Sequence, residues 1–387
     1  MGHQDWSAYA QELARELQQA GCLEPDWLEE AFFHVPRHMF IDQYLESGRE
    51  GDVLVSNLHP PKDSHLRAIY SNMTLLVRRA PHEFIASQPE IIFAMLQDLA
   101  SEPGDRVLEI GTGTGWNTGL LAYRAARDDL VYSMDIQSNL VESARLHLDS
   151  AGFPGVHLRA GDGGHGWPEA APFDRIIVTV GFHDIPPHWV EQLADGGLLL
   201  VPLSTRGIGE PVLKLRKCGD QVAGRYMHWS WFQPGCGDYA PSAATDWDPV
   251  IEGILRDAHR EISLLEPVEQ DFLFFLYLSG LRFVSGARCT PLGYTLVDTE
   301  SDSGFLVSFD KPAIYAGADA EAAERFVAKQ EEWIGMGRPR VTDYRVVVGN
   351  GDHQHANGVT WVDQRPSTRL ILSLAGEVDD EPDSHQP

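Results

Sequence analysis

A short apolar run in the first half of the chain leads into a glycine-rich loop, and acidic residues lie at the ends of this run and of the runs that follow. The glycines and acids are Gly111, Gly113, Gly115, Glu109, Asp135 and Asp162. Glycine lets the backbone come close to a ligand, because it has no Cβ. A carboxylate about 20 residues beyond such a loop is placed to accept hydrogen bonds from ribose hydroxyls. The pattern therefore predicts a site for a ligand that contains a ribose.

The spacing of the loop separates it from two phosphate-binding loops. In VLEIGTGTGWNTG, residues 107–119, Trp116 stands where the dinucleotide fingerprint GxGxxG has its third glycine. No Gly-Lys-Ser or Gly-Lys-Thr follows, which excludes a Walker A loop. The ligand we expect is S-adenosylmethionine, which has a ribose, an adenine and a cationic sulfonium but no phosphate. The alternative is a tight turn between strand and helix, with Asp135 as a solvated strand end.

Ser87 has two interpretations. Ser-Gln-Pro-Glu, residues 87–90, is a capping box in which the Ser87 hydroxyl accepts from the amide of Glu90 and the Glu90 side chain reaches back. A helix N-terminus also has free amides and the positive end of the helix dipole, which suit a substrate carboxylate. Both interpretations remain open at this point.

Other polar residues carry weaker signals. His34 and His38 are spaced like zinc ligands on a helix, but Pro36 lies between them and no third ligand is evident. His353 and His355 in GNGDHQHANG indicate a polar turn. We therefore predict no metal site.

Two residues after the apolar run IIVTV are candidates for substrate contact. They are His183 and Asp184, which follow a predicted strand at the edge of the sheet. No Ser-His-Asp order with a nucleophile elbow is present, which argues against a hydrolase.

Helical and strand patterns alternate regularly from Ser87 to Pro202. The helical patterns cover 89–99, 117–127, 137–150 and 187–194, and the strand patterns cover 107–110, 130–135, 156–160, 175–180 and 197–202. Short, continuously apolar strands between helices are typical of βαβ units, in which helices cover both faces of a parallel sheet. Ligands of such sheets bind at the carboxyl ends of the strands. The loop and the acids are therefore expected to meet at one edge of the sheet.

The chain on either side of this alternation has a different pattern. Residues 5–40 hold two helical patterns, and 41–86 are mixed, with a strand-like run at 75–77. Two strand-like runs, 211–217 and 222–232, are predicted to close the sheet edge, and the Gly- and Pro-rich segment 232–246 predicts a boundary. Beyond it we predict helices at 268–283 and 318–334, hairpin strands at 294–297 and 305–309, and the strands YRVVV and RLILSL. These elements predict an additional α+β domain.

Composition narrows the class of protein. The chain has 43% hydrophobic and 22% charged residues, which is ordinary for a soluble globular protein. With 57 acidic against 30 basic residues the formal net charge is −27, which disfavours nucleic acid and membrane surfaces as partners. The N-terminus lacks the apolar segment of a signal peptide, and Cys22, Cys218, Cys236 and Cys289 are scattered. We expect a cytoplasmic protein with reduced thiols.

Five segments occur in an order that is typical of one family. They are EAFFHVPRHMFI, IASQPEIIFAML, VLEIGTGTGWNTGLLA, AGDG and PFDRIIVTVGFHDIPPHWVEQLADGGLLLVP. Over residues 25–232, about half of its length, the chain resembles the protein-L-isoaspartate O-methyltransferases. The resemblance implies an α/β Rossmann-like class I fold that transfers a methyl group from S-adenosylmethionine to an aspartyl or isoaspartyl carboxylate, leaving S-adenosylhomocysteine.

The resemblance also implies site residues. Ser87 matches the active-site serine of the family, and Gln88 beside it, with His183 and Asp184, is expected on the substrate side. The expected cofactor-binding residues are Glu109, Gly111, Thr112, Gly113, Gly115, Trp116, Asp135, Ile136, Gly161, Asp162 and Gly163. The chain departs from the family on the substrate side, with Ile85-Ala86-Ser87 in place of Thr-Ile-Ser and an apparent insertion at 41–80.

The length beyond the resemblance bears on domains and substrate. We expect N-terminal helices and a substrate-side insertion over 1–86, a methyltransferase core over 87–235, a substrate-recognition domain over 236–375 and a disordered acidic tail over 376–387. The extension resembles variants that methylate one aspartate of a constrained ribosomal peptide, such as a lanthipeptide or graspetide, which then forms a succinimide (aspartimide). The alternatives are a general isoaspartate repair enzyme and an accessory protein that binds the cofactor without transferring the methyl group.

Overall fold

A computed structural model gives the fold of most of the chain. It describes residues 6–48, 51–56, 60–78, 84–205, 208–239, 248–280, 283–290, 293–298, 303–308, 310–317, 321–349 and 360–374. The predicted polar turn at His353 and His355 and the predicted acidic tail lie outside these residues. In the described part of the chain, no helix has both the length and the apolar character needed to cross a membrane.

The chain divides into two compact units. The first comprises Met1–Pro202, Lys214–Asp220 and Phe232–Ala240, and the second comprises Leu203–Leu213, Gln221–Trp231 and Pro241–Pro387. The predicted methyltransferase core of 87–235 included 203–213 and 221–231, which the structure places in the second unit.

The first unit begins with helices and short strands that precede the main sheet. These are α1 Ser7–Gln19, α2 Asp26–His34, β1 Gln43–Gly48, β2 Gly51–Ser56, α3 Asp63–Ile69, β3 Leu75–Arg78 and β4 Phe84–Ala86. The strands pair as two antiparallel hairpins, β1 with β2 and β3 with β4. The segment that we predicted as mixed thus has ordered elements, and β3 lies where a strand-like run was expected.

The main sheet of the first unit is parallel. Its elements are α4 Pro89–Leu99, β5 Val107–Ile110, α5 Trp116–Ala125, β6 Val131–Asp135, α6 Ser138–Ala151, β7 His157–Ala160, β8 Phe173–Val178, α7 Pro187–Gln192 and β9 Leu193–Pro202. The strands lie in the order β9-β8-β5-β6-β7, with each neighbouring pair parallel. All four residues of β5 are buried, because this central strand is covered on both faces.

The order of the strands creates a crevice beside β5. The chain adds β6 and β7 on one side of β5 and then returns to add β8 and β9 on the other side. Loops that leave β5 and β8 therefore turn in opposite directions, which is the topological switch point where open α/β sheets bind ligands. The predicted α/β fold of the class I methyltransferases is confirmed.

The second unit contains antiparallel sheets and helices. Its elements are β11 Gln221–Tyr226, α8 Asp248–Asp257, β12 Arg260–Ser263, α9 Gln270–Leu278, β13 Phe283–Thr290, β14 Gly293–Asp298, β15 Ser303–Ser308, β16 Ala313–Ala316, α10 Glu321–Gly335, β17 Tyr344–Val348, β18 Thr360–Gln364 and β19 Arg369–Leu374, while β10 Val212–Cys218 lies across the division between the units. One sheet has the order β12-β16-β15-β14-β13, and β11, β17, β19 and β18 pair in that order. The predicted strand over 222–232 ends at Tyr226.

Aromatic side chains form the core of the second unit. Helix α9 buries Phe272, Phe274 and Phe275, and the Phe272 ring lies 5.5 Å from the ring of Trp333 on α10. Trp361 on β18 is 8% exposed. These large side chains pack inside the unit as a core.

Candidate active site

A cavity of about 390 Å³ opens where β5, β6 and β8 end. Its volume lies within the range of about 300–1,000 Å³ that is usual for small-molecule sites. The predicted site residues that line it are Ser87, Gly111, Thr112, Gly113, Trp116, Asp135, Ile136 and Gly163. The structure thus brings the glycine loop, the second acid and the serine into one cavity.

The other predicted residues lie outside the cavity wall. They are Glu109, Gly115, Gly161, Asp162, Gln88, His183 and Asp184. Asp184 is 1% exposed, and its carboxylate accepts from the amide of Ile185. The Asp162 carboxylate accepts from the amides of Gly164 and Asp238. Both carboxylates are therefore engaged in holding loops.

Gly111 is the glycine of the loop that the structure constrains most. Its φ of +107° is a conformation that other residues rarely adopt, and a Cβ at this position would lie 2.5 Å from Oγ1 of Thr179. The same hydroxyl donates to the Gly111 carbonyl oxygen at 2.8 Å. The glycine therefore lets the loop after β5 pack directly against the residue that follows β8.

Asp135 connects the end of β6 to the glycine loop. One carboxylate oxygen accepts from the amide of Gly113 at 3.0 Å, and the other accepts from the amide of Gln137 at 2.9 Å. Each carboxylate oxygen can accept a second hydrogen bond. Asp135 lines the cavity, so it is positioned to accept bonds from the hydroxyls of a ribose.

Glu109 lies outside the cavity and holds together the elements that form it. It is fully buried, and its carboxyl group accepts hydrogen bonds from Asn117, Thr118 and Ser133 at distances of 2.5–2.7 Å. Burial raises the pKa of Glu109 to about 7 despite these bonds. The residue ties the start of α5 to β5 and β6 without reaching the cavity.

Of the two interpretations of Ser87, the capping box is wrong. Helix α4 begins after Gln88, which makes no side-chain cap. Asn72, a residue of another segment, accepts from the amide of Glu90 at 3.1 Å and donates to the Glu90 carboxylate at 2.7 Å. Because Asn72 caps the helix, the Ser87 hydroxyl is left in the cavity wall with no hydrogen-bond partner among the described residues.

Arg37 is a cavity residue that the sequence analysis missed. It lies in the motif VPRHMF, is 1% exposed and lines the cavity. Its guanidinium donates to the carbonyl oxygen of Ser87 at 2.9 Å, and its Cζ lies 5.3 Å from the ring centroid of Trp116. The available signal was an arginine within a largely apolar motif.

A later segment of the first unit forms another part of the wall. Residues Phe232, Gln233, Pro234, Gly235 and Cys236 line the cavity. Gln233 accepts from the amide of Ile85 through its side chain, and its carbonyl oxygen accepts from the amide of Gly181. The sequence predicts this Gly- and Pro-rich stretch only as a boundary, whereas the structure places it in the cavity wall.

Three histidines lie outside the cavity wall, namely the predicted pair His34 and His38 and a further residue, His165. His38 hydrogen-bonds the hydroxyl of Tyr70 at 2.7 Å, while the His34 ring packs 4.8 Å from that of Tyr123, so the two do not form a ligand pair. His165 lies 3.1 Å from a carboxylate oxygen of Asp238 and 3.8 Å from one of Asp162. Cation-binding groups come together there, at an exposed position outside the cavity wall.

Comparisons with known proteins agree with this geometry. A family model described as protein-L-isoaspartate(D-aspartate) O-methyltransferase matches residues 61–234. The protein-L-isoaspartate O-methyltransferase of Pyrococcus abyssi is 31% identical over 238 residues, which cover 61% of this chain and 97% of the relative. The chain belongs to the protein-L-isoaspartate O-methyltransferase family.

Two further matches are similar. The protein of the same name from Syntrophus aciditrophicus is 35% identical over 207 residues, covering 54% of this chain and 82% of the relative. A solved structure named protein-L-isoaspartate O-methyltransferase has a TM-score of 0.55 and 22% identity, and the match covers 88% of this chain and 96% of that one. At this identity the structure supports the fold.

The chain is thus a methyltransferase whose cofactor is S-adenosylmethionine, and both predictions are confirmed. The residues present fit this cofactor. Asp135 offers carboxylate oxygens to a ribose, and the backbone of Gly111 and Gly113 lines the cavity without side chains. Asn117 also lines it, and its buried side-chain oxygen has no partner among the described residues.

Proposed function

We propose that the chain methylates the side-chain carboxylate of an isoaspartyl or aspartyl residue in a polypeptide. The observation that carries the proposal is Ser87, whose unpartnered hydroxyl lines the same cavity as Asp135 and the glycine loop. Family membership supports the same reaction class. A hydroxyl donor beside a cofactor site suits an anionic acceptor group, because it can orient one carboxylate oxygen while the other remains free to react.

The reaction needs orientation more than proton transfer. A carboxylate is ionised at neutral pH, since its ordinary pKa is about 4, so no general base is required. When bound, S-adenosylmethionine supplies a methyl group activated by the positive sulfur. The Ser87 hydroxyl would hold the carboxylate, and Asp135 would hold the ribose. Phe84, Phe182 and Phe232 line the cavity and make part of its wall apolar, which would limit the water around the reacting groups.

The product has a defined chemical fate. The methyl ester is a better electrophile than the carboxylate, so the backbone nitrogen of the following residue attacks the ester carbonyl. This step forms a succinimide and releases methanol. Water then opens the ring to an aspartyl or an isoaspartyl residue. The chemistry serves either repair of isoaspartate or installation of a succinimide.

Our finer proposal for the substrate is a constrained ribosomal peptide, methylated in the cytoplasm. It is supported by the length of chain beyond the family match, which ends at residue 234. The match to a solved structure over 88% of this chain weakens that support, because a protein named for isoaspartate can have a comparable extent. General repair of isoaspartyl proteins therefore stays as the second candidate.

Three peptides separate these candidates. The full-length protein would be incubated with S-adenosylmethionine and a linear isoaspartyl peptide, its linear aspartyl counterpart or a side-chain-cyclised aspartyl peptide. Mass spectrometry would then detect the gain of a methyl group and the later loss of methanol. Methylation of the cyclised peptide alone supports peptide maturation, and methylation of the isoaspartyl peptide alone supports repair. If none is methylated by protein that binds the cofactor, the proposed function is wrong.

A further inference from the structure

Arg37 is a buried cation that lacks an anionic partner. One terminal nitrogen of its guanidinium donates to the carbonyl oxygens of Ile69 at 2.8 Å and Ser71 at 3.1 Å. The other donates to those of Met73 at 3.4 Å and Ser87 at 2.9 Å. All four acceptors are neutral, and among the described residues no carboxylate pairs with this arginine.

The charge of Arg37 is therefore not cancelled locally. Carbonyl dipoles solvate a buried cation only in part, and its field extends further in a low-dielectric interior than in water. Burial lowers the pKa of Arg37 to about 10, which leaves it protonated at neutral pH. Because Arg37 lines the cavity, this field reaches the cavity.

The surroundings make this charge significant for an anionic substrate. The chain carries a net charge of −27, which repels a peptide carboxylate at long range. Among the residues that line the cavity, Arg37 is the basic one and Asp135 the acidic one. Asp135 lies on the glycine-loop side, whereas Arg37 is bonded directly to the backbone of Ser87.

We propose that Arg37 makes the cavity selective for a carboxylate and positions Ser87 to receive it. Its charge stabilises the substrate carboxylate through space, and its hydrogen bond to the Ser87 carbonyl oxygen fixes the residue whose hydroxyl would bind that carboxylate. Both terminal nitrogens of Arg37 already donate to backbone carbonyl oxygens, and its Nε is buried, so the proposed role acts through the charge and through Ser87. This inference rests on the proposed function.

A purely structural role predicts a different result. If Arg37 only joined 69–73 to the Ser87 segment, its loss would weaken charged and neutral ligands alike. Selectivity for charge separates the two roles. The probes are an isoaspartyl peptide and the same peptide with a carboxamide in place of that carboxylate, and their affinities would be measured with S-adenosylhomocysteine present.

We expect wild-type protein to bind the carboxylate peptide at least about tenfold more tightly than the carboxamide peptide. Arg37→Met should reduce this preference to about twofold or less. Arg37→Lys should keep most of the preference but lower turnover, because lysine retains the positive charge but lacks the planar, multidentate donor group of arginine. The matched control is Arg67→Met, which removes an exposed arginine from α3 and should leave the preference unchanged.

Three results would overturn the inference. One is a wild-type protein that methylates the isoaspartyl peptide yet binds both probes equally, and another is a folded Arg37→Met variant that keeps the full preference. The third result comes from wild-type protein alone and can be obtained even if Arg37→Met and Arg37→Lys do not fold. A preference due to a buried charge should persist at about 1 M salt, where surface charges are screened, and its disappearance would assign it to the surface. If wild-type protein methylates no peptide, the proposed function fails first.

Discussion

The Ser87 side chain lies where a substrate carboxylate would be held, and removing its hydroxyl should affect chemistry alone. We expect Ser87→Ala to lower kcat by about 100-fold or more, the usual effect of deleting one well-placed donor in an active site. The affinity for S-adenosylhomocysteine and the melting temperature should stay close to wild type, since Ser87 does not cap α4. Kinetics and calorimetry on one preparation measure both. Unchanged turnover would remove Ser87 from the mechanism.

Asp135 should control the affinity for the cofactor. Asp135→Ala removes the acceptor for the ribose hydroxyls and also the acceptor for the Gly113 amide. Each charge-assisted hydrogen bond contributes about 1.5–3 kcal/mol, so calorimetry should show binding of S-adenosylmethionine weakened at least tenfold. Asp135→Asn keeps one oxygen acceptor, so its affinity for S-adenosylmethionine should lie between those of wild-type protein and Asp135→Ala. Equal affinity in all three would contradict the assignment of the ribose site.

Glu109 makes stability depend on pH in a defined direction. Its pKa is about 7 in the folded protein against an ordinary value of 4.5, so the folded state binds the proton more tightly than the unfolded chain does. The contribution of Glu109 to the free energy of unfolding is fully present below about pH 4.5. It is lost as the pH rises through about 7, and the loss is on the order of 3 kcal/mol. Because glutamine does not ionise, the stability of Glu109→Gln should not include this decrease with rising pH.

Urea unfolding of wild-type protein and Glu109→Gln at about pH 5 and about pH 8 measures this effect. Other titrating groups are shared by the two proteins, so the change in their stability difference isolates Glu109. A difference that does not vary with pH would mean that Glu109 is ionised throughout this range.

Spacing in the sequence located some of the residues of the cavity and missed others. Gly111 and Asp135 were found because a loop after β5 and the end of β6 meet at one sheet edge. Glu109 and Asp162 follow the same pattern but bond to neighbouring side chains or loop amides, which spacing cannot reveal. Arg37 was missed because its significance depends on residues 69–73 and Ser87 folding around it.

At the scale of elements, Asn72 should stabilise α4 without taking part in the reaction. Asn72→Ala removes the acceptor for the Glu90 amide and a donor to the Glu90 carboxylate. Loss of a helix cap costs about 1 kcal/mol, so thermal unfolding should show a lower melting temperature with cofactor affinity unchanged. Ser87→Ala is the matched comparison on the same helix end. If that variant is the less stable of the two, Ser87 is the cap after all.

Elements were predictable where local pattern and tertiary packing agree. The parallel strands β5 and β6 were located within a residue, since short, continuously apolar runs between helices are typical of buried parallel strands. The cap of α4 was misassigned because the local capping box competes with a distant asparagine. The hairpin of β1 and β2 was not foreseen, since two short strands with exposed Val53 and Leu54 lack a clear alternation.

The whole chain cannot be divided cleanly at the boundary that the sequence indicated. Within the second unit, β11 pairs with β17 through Val222–Arg225, and the Tyr226 ring packs 5.1 Å from that of Phe274. A cut near Ala240 would leave that strand without its partner and uncover the tyrosine. The part that the second unit plays in substrate choice must therefore be measured on the intact chain.

We propose that the intact protein esterifies a carboxylate in its Ser87 cavity. The most direct measurement is transfer of a labelled methyl group from S-adenosylmethionine to an isoaspartyl or aspartyl peptide, followed by release of labelled methanol in mild base, which is diagnostic of a carboxyl methyl ester. We expect base-labile label on at least one of these peptides, none on the carboxamide counterpart, and a large loss of label with Ser87→Ala. Label that resists base, or equal labelling of the carboxamide peptide, would contradict this proposal.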